Sequence, residues 1–253
     1  MTPKHFFIGG AQRSGTTYAY HVCADHPEIE MAHPVKPEPK FFMNDELVAK
    51  GLDYYRQTYF GQKSNARIYG EKSTSYIEIE RAAQHVAAHL PDAKFVFVLR
   101  HPVDRAISNY WFSVKHGVET MSIADAMHQE ATRLNDYDAS KISVSPFAYL
   151  QRGRYMEYLD VYLRYFPRTQ IHVLIYEQMV TQLAPVQELY RFLGVADTFD
   201  PPSRHEKINA NEVRPADPIP SELQAFMTHH FATSNRALAQ WLGRDIPEWG
   251  VTR

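Results

Sequence analysis

Phe6-Phe7-Ile8-Gly9-Gly10-Ala11-Gln12-Arg13-Ser14-Gly15-Thr16-Thr17 reads as an apolar strand running through a glycine loop into the first turn of a helix. The stretch keeps the spacing of the phosphate loop G-x-x-x-x-G-K-[ST]: Gly10, Gly15 and Thr17 are in register, and Thr16 stands where the motif has lysine. Glycines let the backbone curl until successive N–H groups point inward, and the helix behind them adds its positive end. The loop therefore predicts an anion cradle. The motif's lysine reaches β- and γ-phosphates, so its loss argues for a nucleotide with a different tail. Arg13 is the cation left inside the loop, and Thr16 and Thr17 add hydroxyl donors. Taken alone, the same glycines also fit an ordinary bend between strand and helix, and the remaining sequence decides between the two.

Strand and helix patterns alternate outward from this loop. His5–Gly10, Ile68–Glu71, Lys94–Leu99 and Gln170–Ile175 read as strands, with Lys94–Leu99 (KFVFVL) apolar on both faces as a central parallel strand is. Helices are predicted over Thr16–Ala24, Glu80–Leu90, Pro102–His116, Ser122–Asn135, Tyr155–Phe166, Pro185–Leu193 and from Ser221 to about Trp241. Pro102 suits a first helical turn, Ser122 a cap, and Gly194 a helix end. Residues 195–220, rich in Pro, Asp, Asn and Arg, read as a long irregular segment. The pattern predicts an α/β fold of three layers, a mostly parallel central sheet with helices on both faces, in one domain over residues 1–253.

Composition narrows the function. A chain of 253 residues buries about 70–75% of its unfolded surface, enough for a full core. Its 44% hydrophobic and 22% charged residues are those of a globular protein, and a formal net charge of −2 argues against a general nucleic-acid binder. The one cysteine, Cys23, rules out an internal disulfide and a cysteine-based zinc site, and its helical position favours core packing. No apolar run has the length of a signal core or a membrane span, so a cytoplasmic protein without stable membrane insertion is expected. His85 and His89 share a helical face, but with no base or third ligand at metal-site spacing they read as packed or solvated. No metal is expected, and oligomeric state stays open.

The strongest strand ends in Val98-Leu99-Arg100-His101-Pro102. Metal-using phosphate-loop enzymes place a magnesium-holding aspartate at such a strand end. An arginine there, beside the ligand crevice of a parallel sheet, binds an anion directly. Ser108 follows eight residues on, within the proline-led helix, and the pair suits a phosphate. Arg105 between them reads as a solvated or ion-paired helix residue. Glu38 sits between Pro37 and Pro39, which keep it out of helix and central strand, with Lys36 and Lys40 on either side.

These blocks together resemble the sulfotransferases that use 3′-phosphoadenosine-5′-phosphosulfate (PAPS), and most closely the heparan sulfate N- and 3-O-sulfotransferase branch with its bacterial relatives. Gln12-Arg13-Ser14-Gly15-Thr16-Thr17 is similar to the 5′-phosphosulfate loop, with Arg13 where the family has lysine or arginine. Arg100-His101-Pro102-Val103-Asp104-Arg105-Ala106-Ile107-Ser108-Asn109-Tyr110 is similar to the 3′-phosphate block R-x-P-x-x-R-x-x-S-x-Y, whose first arginine and serine grip that phosphate. Glu71-Lys72-Ser73-Thr74-Ser75-Tyr76 resembles E-K-[ST]-x-x-Y, and Lys36-Pro37-Glu38-Pro39-Lys40-Phe41-Phe42 resembles K-E-x-x-F-F, in which the glutamate is the base. The likeness covers about residues 5–180.

The resemblance implies a sulfuryl transfer from PAPS to a hydroxyl or amine of a carbohydrate, lipid or secondary-metabolite acceptor. Glu38 would take the acceptor's proton, Lys72 and Arg13 would meet developing charge, and Gln12 through Thr17 with Arg100 and Ser108 would bind the nucleotide. The family's late closing loop corresponds to residues 204–215, which carries Lys207 and Arg214 over to the donor site but contains no glycine. Lys40 occupies a position that is often histidine or glutamine in the family. Two other readings compete: a phosphate-loop small-molecule kinase using ATP and magnesium, and a non-catalytic nucleotide-binding module.

Overall fold

The computed structural model of the protein describes residues 4–61, 63, 65–206 and 219–253. The chain opens with β1 (Lys4–Gly10), α1 (Thr16–Asp25) and β2 (Ile29–Met31). The helices α2 (Asp45–Val48) and α3 (Gly51–Tyr59) lead to β3 (Ile68–Lys72), α4 (Glu80–His89) and β4 (Lys94–Leu99). Then come α5 (Pro102–Lys115), α6 (Ile123–His128), α7 (Glu130–Arg133) and α8 (Tyr155–Leu163). The last elements are β5 (Ile171–Ile175), α9 (Tyr176–Met179), α10 (Ala184–Leu193) and α11 (Ser221–Leu242). The described residues of Met1–Leu99 and Asp160–Asn209 make one compact unit, and those of Arg100–Leu159 and Ala210–Arg253 a second.

The first unit holds a five-stranded sheet in the order β2-β3-β1-β4-β5, with every pairing parallel. Side chains alternate across a strand, and here both sets are apolar. Phe6, Ile8, Val96 and Val98 join the cluster made with Tyr18, Ala19, Val22 and Cys23 of α1 and with Val186, Leu189, Tyr190 and Leu193 of α10. Phe7, Phe95 and Phe97 face the other way, where their rings meet Phe42, Tyr76, Tyr162 and Phe166. Burial on both faces is what the unbroken apolar run of β4 anticipates. Cys23 is fully enclosed, and burial pushes its thiol pKa up, so it serves as core.

β1 is central, and the crossover from β3 to β4 passes over it, so ligand-binding loops are expected at its carboxyl end. Its pairing with β4 slips between Ile8 and Gly10. Such an irregularity re-aims a strand, and it sits where β1 gives way to the glycine loop. Gly9 is required there by close packing: a Cβ would lie 2.9 Å from the Phe97 ring.

The second unit is helical. Val103, Ala106 and Tyr110 of α5 pack with Ala126 and Met127 of α6, with Phe147, Tyr149 and Leu150, and with Leu223, Met227 and Phe231 of α11. Ser122 caps α6, accepting the Asp125 N–H at 3.2 Å. The single helix expected over Ser122–Asn135 is interrupted at Gln129 (φ −98°, ψ 6°). The reason is tertiary: Glu130 is 5% exposed and accepts backbone N–H groups from Leu150 and Gln151. Arg105 also differs from expectation. It is fully buried, donating to the Tyr149 carbonyl and to Asn109 Oδ1, which Arg152 also engages. Among the described residues no helix is long and apolar enough to cross a membrane.

Candidate active site

The glycine loop leaves β1 with Ala11 N–H donating to the Val98 carbonyl at 2.8 Å. Arg13 (φ 66°) and Gly15 (φ 84°) then adopt left-handed backbone, curling the chain into the first turn of α1. Gly15 has no substitute here: a Cβ would lie 2.3 Å from Cδ2 of Tyr176, on top of the steric cost of its φ. No side chain caps α1 and no acidic residue sits in its first turn, so its positive end is uncompensated from within the helix. Ser14 is fully buried and its Oγ has no hydrogen-bond partner. Buried hydroxyls are nearly always paired, and a bound anion is one partner that would satisfy this one. The loop therefore fits a phosphate or sulfate group.

The segment carrying Glu38 comes to the carboxyl end of β3. Glu38 Oε1 accepts from Lys72 Nζ, and Thr74 adds its backbone N–H at 2.9 Å to Oε2 and its hydroxyl at 3.0 Å. The Lys72 side chain is 3% exposed and that of Glu38 16%. An ion pair so far out of water stays together because each charge would otherwise be stranded. Gln12 of the glycine loop donates to Ser75 Oγ at 3.2 Å, tying that loop to the same β3 turn. Within the first unit, therefore, Gln12, Lys72, Thr74 and Glu38 belong to one connected group.

Behind this group lies a second carboxylate. Glu71 is fully buried and accepts from Tyr55 at 2.7 Å, from Ser73 at 2.5 Å and from the Tyr76 hydroxyl. Burial raises its pKa to about 7 against the pull of those three donors, with the nearby Glu38 charge pushing the same way. The segment before α2 is held by other contacts too: His85 Nδ1 lies 2.9 Å from the Phe42 carbonyl, and the Phe42 ring stacks edge-on to Phe7. His85 is thus a packing residue. Among the described residues no group of three or more His, Cys, Asp or Glu side chains is placed to hold a metal.

Arg100 and Ser108 belong to the second unit, 7% and 6% exposed, and the Arg100 carbonyl accepts the Tyr155 hydroxyl at 2.7 Å. Ser108 lies on α5, whose first residue is Pro102. Lys207 and Arg214 lie outside the described residues. Sequence reasoning missed three members of the first unit's cluster as active parts. Thr74 and Ser75 stood inside a quoted block, where two hydroxyls just past a strand end were the available signal. Tyr55 belongs to an aromatic stretch that reads, by sequence, as core or as part of an acceptor cleft, and only the fold brings its hydroxyl to Glu71.

The model of the family described as "Sulfotransferase domain" matches residues 3–229. The human bifunctional heparan sulfate N-deacetylase/N-sulfotransferase 1 is 32% identical over 203 residues, which are 78% of this chain and 23% of that protein. The chain thus spans about a quarter of that relative's length. A sulfotransferase from Alicyclobacillus acidocaldarius superposes with a TM-score of 0.79 at 27% identity, covering 98% of this chain and 99% of the other. Mouse sulfotransferase SULT7A1, solved with PAP, shares the fold at a TM-score of 0.56 and 13% identity, covering 96% of this chain and 89% of its own. A family match across nine-tenths of the residues, on an all-parallel sheet with a glycine loop at its central strand, has one meaning: this chain belongs to the sulfotransferase domain family.

Proposed function

We propose that this chain, as one sulfotransferase domain over residues 1–253, moves a sulfuryl group from PAPS to a hydroxyl or amine on a small-molecule, lipid or glycan acceptor. The observation that carries this reading is the cluster in which Glu38 is held by Lys72 and Thr74 and joined to the glycine loop through Gln12 and Ser75. PAPS, when bound, supplies an activated sulfuryl group on a leaving phosphate. Residues 12–17 are assigned to its 5′ end, and Arg100 and Ser108 to its 3′-phosphate, with Lys207 and Arg214 as further donor contacts. The PAP bound to the mouse relative supports a donor of this kind.

Glu38 takes the acceptor's proton. Before the donor arrives, Lys72 and the Thr74 donors hold and aim its carboxylate. With the donor bound, Lys72 would serve the developing charge, and Glu38, still steered by Thr74, would accept the acceptor's proton. Arg13 and the N–H groups of the loop add fixed positive charge where it forms. Positioning and electrostatics supply most of the acceleration, as in phosphoryl transfer. The same residues explain why a kinase reading is weaker: Thr16 replaces the lysine for the γ-phosphate, and Arg100 stands where magnesium's aspartate would.

Incubating the protein with PAPS and a panel of acceptors, and reading a gain of about 80 daltons by mass spectrometry, tests the reaction. Glu38→Gln is expected to lower kcat by about 10²–10⁴-fold while adenosine 3′,5′-bisphosphate binding survives in calorimetry. Unchanged turnover removes Glu38 from the mechanism, and binding of Mg–ATP in place of the bisphosphate returns the kinase reading.

A further inference from the structure

Two backbone amides of the segment that carries Glu38 are hydrogen-bonded to hydroxyls. Lys40 N–H donates to Ser73 Oγ at 2.9 Å, and Phe42 N–H donates to Tyr76 Oη at 3.0 Å. Each of these hydroxyls turns its own proton toward Glu71. A hydroxyl has one proton, so where that proton points decides which side is left to accept. An ionised carboxylate can only accept. It therefore draws the Ser73 and Tyr76 protons inward and leaves their lone pairs facing the two amides. Lys40 itself is in left-handed backbone (φ 49°), and Pro39 stiffens the link back to Glu38.

We infer that Glu71 is a positioning residue: through Ser73 and Tyr76 it anchors the Lys40 and Phe42 amides and so fixes where Glu38 presents its carboxylate. The catalytic part of this inference rests on the proposed role of Glu38, while the anchoring itself does not. A fully buried carboxylate is costly unless it is hydrogen-bonded, and two of the three donors gathered around Glu71, Ser73 and Tyr76, also accept from the one segment that carries Glu38. The groups that face it are Tyr55 and Tyr59 from α3, Tyr76 from the turn after β3, and Glu38 from the anchored segment. All the phenols have raised pKa values, mainly through burial, and stay neutral donors. The group among these that titrates near neutrality is Glu71. When Glu71 takes a proton it becomes a donor and no longer draws both the Ser73 and the Tyr76 proton inward, so the hold of these hydroxyls on the Lys40 and Phe42 amides weakens.

The test compares wild type with Glu71→Gln, Ser73→Ala and Tyr76→Phe by amide hydrogen exchange, each first shown to be folded by circular dichroism. Glu71→Gln is expected to reduce protection of the Lys40 and Phe42 amides by about 10-fold or more, with the β4 amide of Phe97 unchanged. Ser73→Ala loosens the Lys40 amide alone, and Tyr76→Phe the Phe42 amide alone, so these two decide the matter should Glu71→Gln not fold. Protection equal to wild type in the variants that fold overturns the inference. In turnover, Glu71→Gln is expected to lower kcat by about 10-fold with bisphosphate binding intact, and to lack the fall in kcat expected of wild type below about pH 7. Loosened amides in a protein that transfers no sulfuryl group sink the proposed function and leave the anchor standing. Normal transfer with undisturbed amides in Glu71→Gln sinks the anchor.

Discussion

At the scale of single residues, Gly15 and Glu38 illustrate two kinds of legibility. Gly15 could be read from spacing alone, because a phosphate-loop glycine answers a local demand on φ. The packing reason for it, the Tyr176 ring lying against its Cα, comes from a residue 161 positions later and was invisible. Gly15→Ala is expected to destabilise the fold by about 1–3 kcal/mol and to weaken adenosine 3′,5′-bisphosphate binding, measured by urea denaturation and calorimetry. A variant with wild-type values of both would show that neither the left-handed φ nor the ring contact constrains the loop. Glu38 could be picked out by its prolines, but its partners could not. Lys72 and Thr74 lie 34 and 36 residues away, and only the parallel sheet brings their strand end to it.

At the scale of elements, the longer segments and the short strand β3 were legible, while the shortest elements were not. β1 and β4 announce themselves by apolar runs, and Pro102 marks the start of α5, a position that needs no N–H donor. β2 is three residues long, and α2 is four, too short for any period to register. The break between α6 and α7 shows a tertiary demand overriding a local one. Ser122 supplies a correct cap and the residues after it favour helix, yet Glu130 is turned inward to meet Leu150 and Gln151. Ser122→Ala should therefore cost about 1 kcal/mol, an ordinary capping loss. Glu130→Ala should cost about 3 kcal/mol, since it strands the buried Leu150 N–H, removes the acceptor of Gln151 N–H and takes away a counter-charge for Arg105 and Arg152. Urea denaturation of both variants checks the ranking, and equal costs would mean that the Glu130 contacts contribute nothing beyond the helix.

At the scale of the whole molecule, two buried groups of the first unit pull stability in opposite directions. Burial, with Arg56 nearby, lowers the His5 pKa to about 4 from 6.5. As pH falls from about 6.5 toward 4, the unfolded chain takes a proton that folded His5 refuses, so stability is lost. Glu71, raised to about 7 from 4.5, works the other way: between those values the folded protein holds a proton that the unfolded chain releases, so stability is gained on acidification. Each effect is about 3 kcal/mol at full extent, and they largely offset one another between about pH 4.5 and 6.5. Glu71→Gln should thus lose stability steeply from about pH 6.5 to about pH 4, while His5→Phe should gain it from about pH 7 to about pH 4.5, both read by denaturant midpoints. Parallel pH profiles for the two variants and wild type would refute the opposition. By itself the sequence determined the alternation of strand and helix, the glycine loop and the family, because φ preferences and periodicity act over a few neighbouring residues. Tertiary structure alone decided that Arg105 is buried, that α6 and α7 part, and that Glu71 lies beneath the Glu38 segment. Each of those depends on groups tens of residues apart satisfying one another's hydrogen bonds away from water, and no local pattern encodes that.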